Sequence, residues 1–191
     1  MKIRLMLITT AQLHKENITL DENLPEGAID YTADIHQVGP LSVQGKAELI
    51  EEHRGHGDIV DDIRLRARFA GKFELLCARC LEPVNEDLNG DFDLIFRPES
   101  ADAEAGERAI TEEETEIGYY GKSGLLLEDA IREQVLLALP GRTLCKDDCQ
   151  GLCPHCGLNR NSTKCDCEES HIDPRWNALA GLAEKASADK A

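Results

Sequence analysis

The chain has 191 residues and a formal charge of −16, from 37 acidic and 21 basic side chains, with 41% apolar and only 4% aromatic residues. That is enough for one domain with an appendage or two small units around a mainly aliphatic core. So acidic a chain repels bulk phosphate backbone, which argues against a general nucleic-acid-coating protein. The opening MKIRLMLITTAQLHKEN holds an apolar patch too short for a secretory leader and without a small-residue cleavage site. No apolar run approaches the roughly 18 residues of a membrane helix. A cytoplasmic protein without membrane contact is expected.

Residues 1–7 alternate, with Ile3, Leu5 and Leu7 opposite Lys2 and Arg4, as an edge strand would. Asn17 to Asp30, broken by Pro25-Glu26-Gly27, reads as irregular. From Leu41 the period of two returns in Val43, Gly45, Ala47 and Leu49, and GHGD at Gly55–Asp58 suggests a hairpin turn. The clearest strand follows. Ile63, Leu65, Ala67, Phe69, Phe73 and Leu75 alternate with Arg64, Arg66, Arg68 and Lys72, and the strand ends at Cys77. A third strand runs from Pro83 to about Arg97, with Leu88, Phe92, Leu94 and Phe96 in register. Three consecutive strands with short turns predict an antiparallel meander with one buried face.

Residues 98–118 carry eight acidic side chains and one basic one, which predicts an exposed, partly disordered loop, or else an acidic arm for a basic partner. Ile117 to Tyr120 can add a short strand. Leu125 to Leu139 predicts the main helix, with Leu127, Ala130, Ile131, Val135 and Ala138 at helical spacing and Pro140-Gly141 ending it. Near the C-terminus Asp173-Pro174 resembles a helix start ahead of Trp176, Leu179 and Leu182.

All eight cysteines come in doublets: Cys77 with Cys80, Cys145 with Cys149, Cys153 with Cys156, and Cys165 with Cys167. A short spacing lets one tight turn aim two sulfurs at one point, and tetrahedral zinc takes four at about 2.3 Å. Neighbours this close make poor disulfides, and a reducing compartment favours metal ligation over them. Two structural Zn2+ ions are therefore expected. Four doublets divide into two sites in three ways. The preferred division groups Cys77, Cys80, Cys145 and Cys149, leaving Cys153, Cys156, Cys165 and Cys167 as a local knuckle. The first group would tie a strand end to the segment after the helix. All-sulfur sites leave no open position, so they read as structural and no catalytic residue is assigned.

Two features compete with this reading. Cys153-Pro154-His155-Cys156 resembles the active-site motif of thioredoxin-fold oxidases, which would make the chain a thiol-disulfide oxidoreductase. That chemistry needs a helix after the motif, and Gly157, Asn159 and Asn161 would not start one. Arg64, Arg66, Arg68 and Lys72 could form an RNA-contacting face, but the stripe has no aromatic platform on which bases stack. Cross-strand pairing with Glu48, Asp91 or Asp93 is the simpler expectation. His14, His36, His53, His56 and His171 lie in polar surroundings and read as surface residues. A zinc-ribbon transcription adaptor is a further alternative.

The order of CARCLEP, an acidic stretch, LLLEDAIREQVLLALP, LCKDDCQGLCPHCGLNRN, CDC and DPRW resembles the YceD family over residues 41–182. These are bacterial and plastid proteins associated with accumulation of 23S ribosomal RNA. The resemblance implies a role in ribosome biogenesis and supplies no catalytic residue. The sequence thus predicts an α+β protein. An antiparallel β-meander or small partly open barrel packed by one main helix would occupy residues 1–143. A C-terminal cysteine-rich zinc knuckle with a short terminal helix would fill residues 144–191. Its expected role is that of a non-enzymatic factor acting on a ribosomal protein or pre-ribosomal large-subunit particle.

Overall fold

The computed structural model describes residues 7–53, 59–101 and 113–167. The chain divides into two compact units, Met1–Cys149 and Gln150–Ala191. The first is a five-stranded sheet in the order β2-β3-β4-β5-β6, formed by β2 (Ile18–Leu24), β3 (Ile35–His53), β4 (Ile59–Leu76), β5 (Pro83–Pro98) and β6 (Ile117–Tyr120). The neighbours from β2 to β5 are antiparallel, and β6 lies parallel to the end of β5. The sheet is open, with β2 and β6 at its margins rather than joined as a barrel would require. A two-stranded pair, β1 (Leu7–Ile8) with β7 (Leu125–Leu126), a short helix α1 (Thr10–Leu13) and the main helix α2 (Leu127–Leu137) complete the unit.

The long meander β3-β4-β5 follows the alternation of the sequence. Leu65, Phe69, Phe73 and Leu75 of β4 are buried, while Arg68, Ala70 and Lys72 between them are exposed. On β3, Leu41, Val43 and Ala47 point to the same core, and Leu88 and Phe96 of β5 close it from the other side. Helix α2 adds Leu127, Ala130, Ile131 and Val135, spaced by three and four residues as an amphipathic helix requires. Ile131 and Val135 are fully buried.

Three elements differ from expectation. Asn17 to Asp30 is not irregular throughout, because Ile18–Leu24 forms β2 and pairs with β3 from Ala47 to Leu41. Only Leu20 of that strand is buried, so its hydrophobic signal is thin. The main helix starts two residues later than its periodicity suggests, since Leu125 and Leu126 pair with Ile8 and Leu7 before the helix begins. Helix α1 carries no long apolar period and is set by a local capping box. The Thr9 hydroxyl accepts from the Gln12 amide while the Gln12 side chain accepts from the Thr9 amide.

The expected strand at residues 1–6, the turn at 55–58, most of the acidic stretch and the Asp173–Leu182 helix lie outside the described residues. The strand partners on either side of the turn are nonetheless in place, with His53 opposite Ile59. Among the described residues no helix is long and apolar enough to cross a membrane.

One feature of the core has no apolar logic. Arg97 and Asp62 are both buried and joined by two hydrogen bonds, from Nε at 3.2 Å and Nη2 at 2.9 Å, and Glu52 pairs with the same guanidinium. A fork of this kind satisfies both ions where water cannot reach them.

Candidate metal centres

The turn between β4 and β5 is Cys77-Ala78-Arg79-Cys80-Leu81-Glu82. The Cys77 amide donates to the Glu82 carbonyl at 2.9 Å and the Leu81 amide donates to the Cys77 carbonyl at 3.0 Å. In the second unit the turn Cys153 to Leu158 repeats this pattern. The Cys153 amide donates to the Leu158 carbonyl at 2.8 Å, and the Gly157 amide to the Cys153 carbonyl at 2.9 Å. The residue after the second cysteine is left-handed in both, Leu81 at φ 60° and Gly157 at φ 74°. One backbone design thus presents two sulfurs side by side at two places in the chain.

Each turn meets a second doublet. Cys77, Cys80, Cys145 and Cys149 form one group, and Cys153, Cys156, Cys165 and Cys167 the other, with the sulfurs of each group within 4.8 Å of one another. This is the division preferred from the sequence. In the first group the Cys77 and Cys149 sulfurs are 3.8 Å apart and those of Cys80 and Cys145 are 3.5 Å apart. A tetrahedral ion with bonds of about 2.3 Å sets its sulfurs about 3.8 Å apart, close to both of these distances, so the donor set has the size and composition of a four-thiolate metal site.

Two contacts hold the arm that carries Cys145 and Cys149 against the β4–β5 turn. The Ala78 amide donates to the Thr143 carbonyl at 2.9 Å, and the Arg79 Nη1 donates to the Cys149 carbonyl at 2.7 Å. Arg79 was not singled out by sequence reasoning; its place inside the first doublet is the one signal that could have found it. In the second unit two asparagines fix the chain on either side of the Cys153–Cys156 turn. The Asn161 side chain accepts from the Gln150 amide at 2.8 Å, and that of Asn159 from the Asn161 amide at 3.0 Å.

The electrostatics suit a cation. Burial pushes the Cys77 thiol up, but backbone hydrogen bonds from Arg79, Cys145 and Cys80 outweigh it and bring it down to about 6. Burial raises Cys145 to about 12, reinforced by the sulfurs of Cys80, Cys149 and Cys77. Backbone hydrogen bonds from Cys156 and His155 lower Cys153 to about 6, whereas the Cys156 sulfur and then burial raise Cys167 to about 12. Thiolates crowded to this degree repel one another, and a cation at their centre would let all four ionise together.

The two groups differ in exposure. Cys77, Cys80 and Cys149 are buried and only Cys145 is exposed, whereas in the second group only Cys153 is buried. The CPHC turn lacks the surroundings of an oxidase. Its low thiol, Cys153, is the buried one, and the chain after Cys156 bends back through a Leu152–Asn159 bridge instead of entering a helix.

The cationic stripe of β4 is engaged on its own sheet. Arg64 forms a bidentate pair with Asp93 at 2.7 and 2.6 Å, and Arg66 reaches Glu48 at 2.7 Å. Arg68 donates to the Gln44 amide oxygen at 2.7 Å, and Lys72 lies 3.9 Å from Asp87. The Asp93 carboxyl is held below the usual range by its hydrogen bonds from Arg64. Among the expected surface histidines, His14 is exposed and lies 2.9 Å from Asp61.

An open sheet whose hairpin turn carries half of a four-cysteine group, with a second such group following, defines a protein organised by clustered thiols able to hold metal ions. The chain belongs to the YceD family: the model described as Large ribosomal RNA subunit accumulation protein YceD matches residues 65–183. It is 39% identical over 107 residues to an uncharacterized protein of Mycobacterium tuberculosis, covering 56% of this chain and 48% of that protein. An uncharacterized protein of Mycobacterium leprae is 32% identical over 111 residues, covering 56% and 46%. The Large ribosomal RNA subunit accumulation protein YCED homolog 1, chloroplastic, of Arabidopsis thaliana is 26% identical over 130 residues, covering 57% and 40%. The chain therefore matches about half the length of these relatives or less. No solved structure matches the chain significantly.

Proposed function

We propose that this protein is a non-enzymatic factor supporting accumulation of large-subunit ribosomal RNA, with two structural zinc ions bracing its two units. The observation that carries this reading is the extent of the family match. Residues 65–183 take in most of the β4–β5 hairpin, helix α2 and all eight cysteines, so the family match and the two thiol groups fall on the same part of the chain. Zinc is the ion favoured by an all-thiolate tetrahedral donor set, and it supplies rigidity there without redox chemistry of its own. The partner is a ribosomal protein or a large-subunit assembly particle, met in the cytoplasm.

A deletion strain tests the role. Mature 23S RNA should fall relative to 16S RNA, and a plasmid copy should restore it while Cys77→Ser and Cys149→Ser copies restore it poorly. An unchanged ratio in the deletion strain counts decisively against the proposal.

A further inference from the structure

The outer margin of β5 is an unfinished part of the sheet. Strand β6 pairs with β5 only from Ile95 to Pro98. The inner side of Pro83 to Leu94 is paired with β4, and among the described residues no strand lies on its outer side, so within them its outward amide and carbonyl groups have no strand partner. A margin of this length invites another strand unless the protein guards it.

The guard is charge of one sign. The residues of β5 on the solvent face are Asn85, Asp87, Asn89, Asp91 and Asp93, all exposed. Three carboxylates on one face, two of them offset by Arg64 and Lys72, disfavour pairing with a second copy of the same margin. They repel a phosphate backbone equally. They do not repel a basic strand. The sheet already alternates charge across its strands, because the cations of β4 face the carboxylates of β5, with Arg64 on Asp93 and Lys72 near Asp87. A further strand that continued that ladder would be cationic. Leu81 and Leu76, both exposed apolar residues where the hairpin turns into β5, offer an apolar contact at the start of the margin.

We propose that the β5 margin from Pro83 to Leu94 docks an extended, Lys/Arg-rich protein segment as a sixth strand. Main-chain hydrogen bonds would supply affinity, and alternate cationic side chains over Asp87, Asp91 and Asp93 would supply selectivity. This rests on the proposed ribosomal role in one respect only: it makes the partner a basic protein tail and not RNA.

The test uses the full zinc-loaded chain and a synthetic peptide of about ten residues alternating Lys and Val, long enough to span Asn85 to Asp93. Nuclear magnetic resonance should show shifts and slowed amide exchange in β5 between Asn85 and Asp93. The double variant Asp87→Lys/Asp91→Lys should weaken binding about tenfold, and Asp87→Asn/Asp91→Asn, which adds no repulsion toward Arg68 or Lys72, by a smaller factor. A Glu/Val peptide should not bind. The inference is overturned if the Lys/Val peptide leaves β5 amides unmoved, if both double variants bind it as the parent does, or if oligouridine shifts the same amides. The deletion strain separates this from the broader reading. A fall in 23S RNA with no peptide effect on β5 sinks the docking surface alone, whereas docking without a change in 23S RNA sinks the ribosomal role alone.

Discussion

Leu81 stands where the paired turn of the second unit has a glycine. Both positions need left-handed backbone so that the amide after the second cysteine can return to the carbonyl of the first, yet Leu81 carries a Cβ that this conformation crowds. At 56% exposure its side chain recovers little by burial. Leu81→Gly should therefore raise the stability of the zinc-loaded protein by about 1 kcal/mol, read as a higher urea midpoint at unchanged slope. A lower midpoint would mean that the leucine packs more than its exposure indicates. That the two turns share a design was half visible beforehand. The C-x-x-C spacing announces two sulfurs on one turn, but the left-handed residue was not legible, because leucine gives no sign of it where glycine does.

At the scale of elements, the meander was legible and its surroundings were less so. Strand β4 writes its two faces in alternating apolar and basic residues because one face is core and the other meets water. Strand β2 escapes such reading because an edge strand contributes one buried side chain, Leu20, and places Glu22 where the alternation calls for an apolar residue. The parallel placement of β6 could not be read either, since four residues carry no record of direction. Helix α2 was plain from its spacing, and its burial makes a prediction. Ile131 is fully enclosed between helix and sheet, so Ile131→Ala should cost about 2–5 kcal/mol, measured by urea unfolding of the metal-loaded protein. Gly45 belongs to the same scale. A Cβ there would lie 2.1 Å from the Arg66 carbonyl oxygen on the neighbouring strand, so Gly45→Ala should destabilise by about 1–3 kcal/mol or more by forcing β3 and β4 apart.

For the whole molecule the pairing of cysteines decides how the parts are held. Doublet spacing showed that sulfurs come in twos, but it left open which twos meet, since Cys77 and Cys145 are far apart in the chain. The fold closes that question in the first unit: the β4–β5 turn and the arm after α2 approach through Ala78–Thr143 and Arg79–Cys149 contacts, so one four-cysteine group lies wholly within Met1–Cys149 and the other within Gln150–Ala191. Two groups in two units should load and unload as separate events. Total zinc should be about two per chain, and Cys149→Ser and Cys156→Ser should each remove about one. Their rates of loss should differ. Three of the four thiols of the first group are buried, so a chelator would reach an ion there only after the hairpin or the arm opens. In the second group Cys156 and Cys167 are exposed, and attack can begin at the surface. With a chromogenic chelator at neutral pH, release should thus be biphasic, and Cys156→Ser should abolish the fast phase and keep the slow one. Lowering the pH should hasten both phases, because each sulfur that leaves the ion takes up a proton and acid traps it in that state. A single phase accounting for both ions, or a fast phase that survives Cys156→Ser, would show that the groups do not act as independent centres.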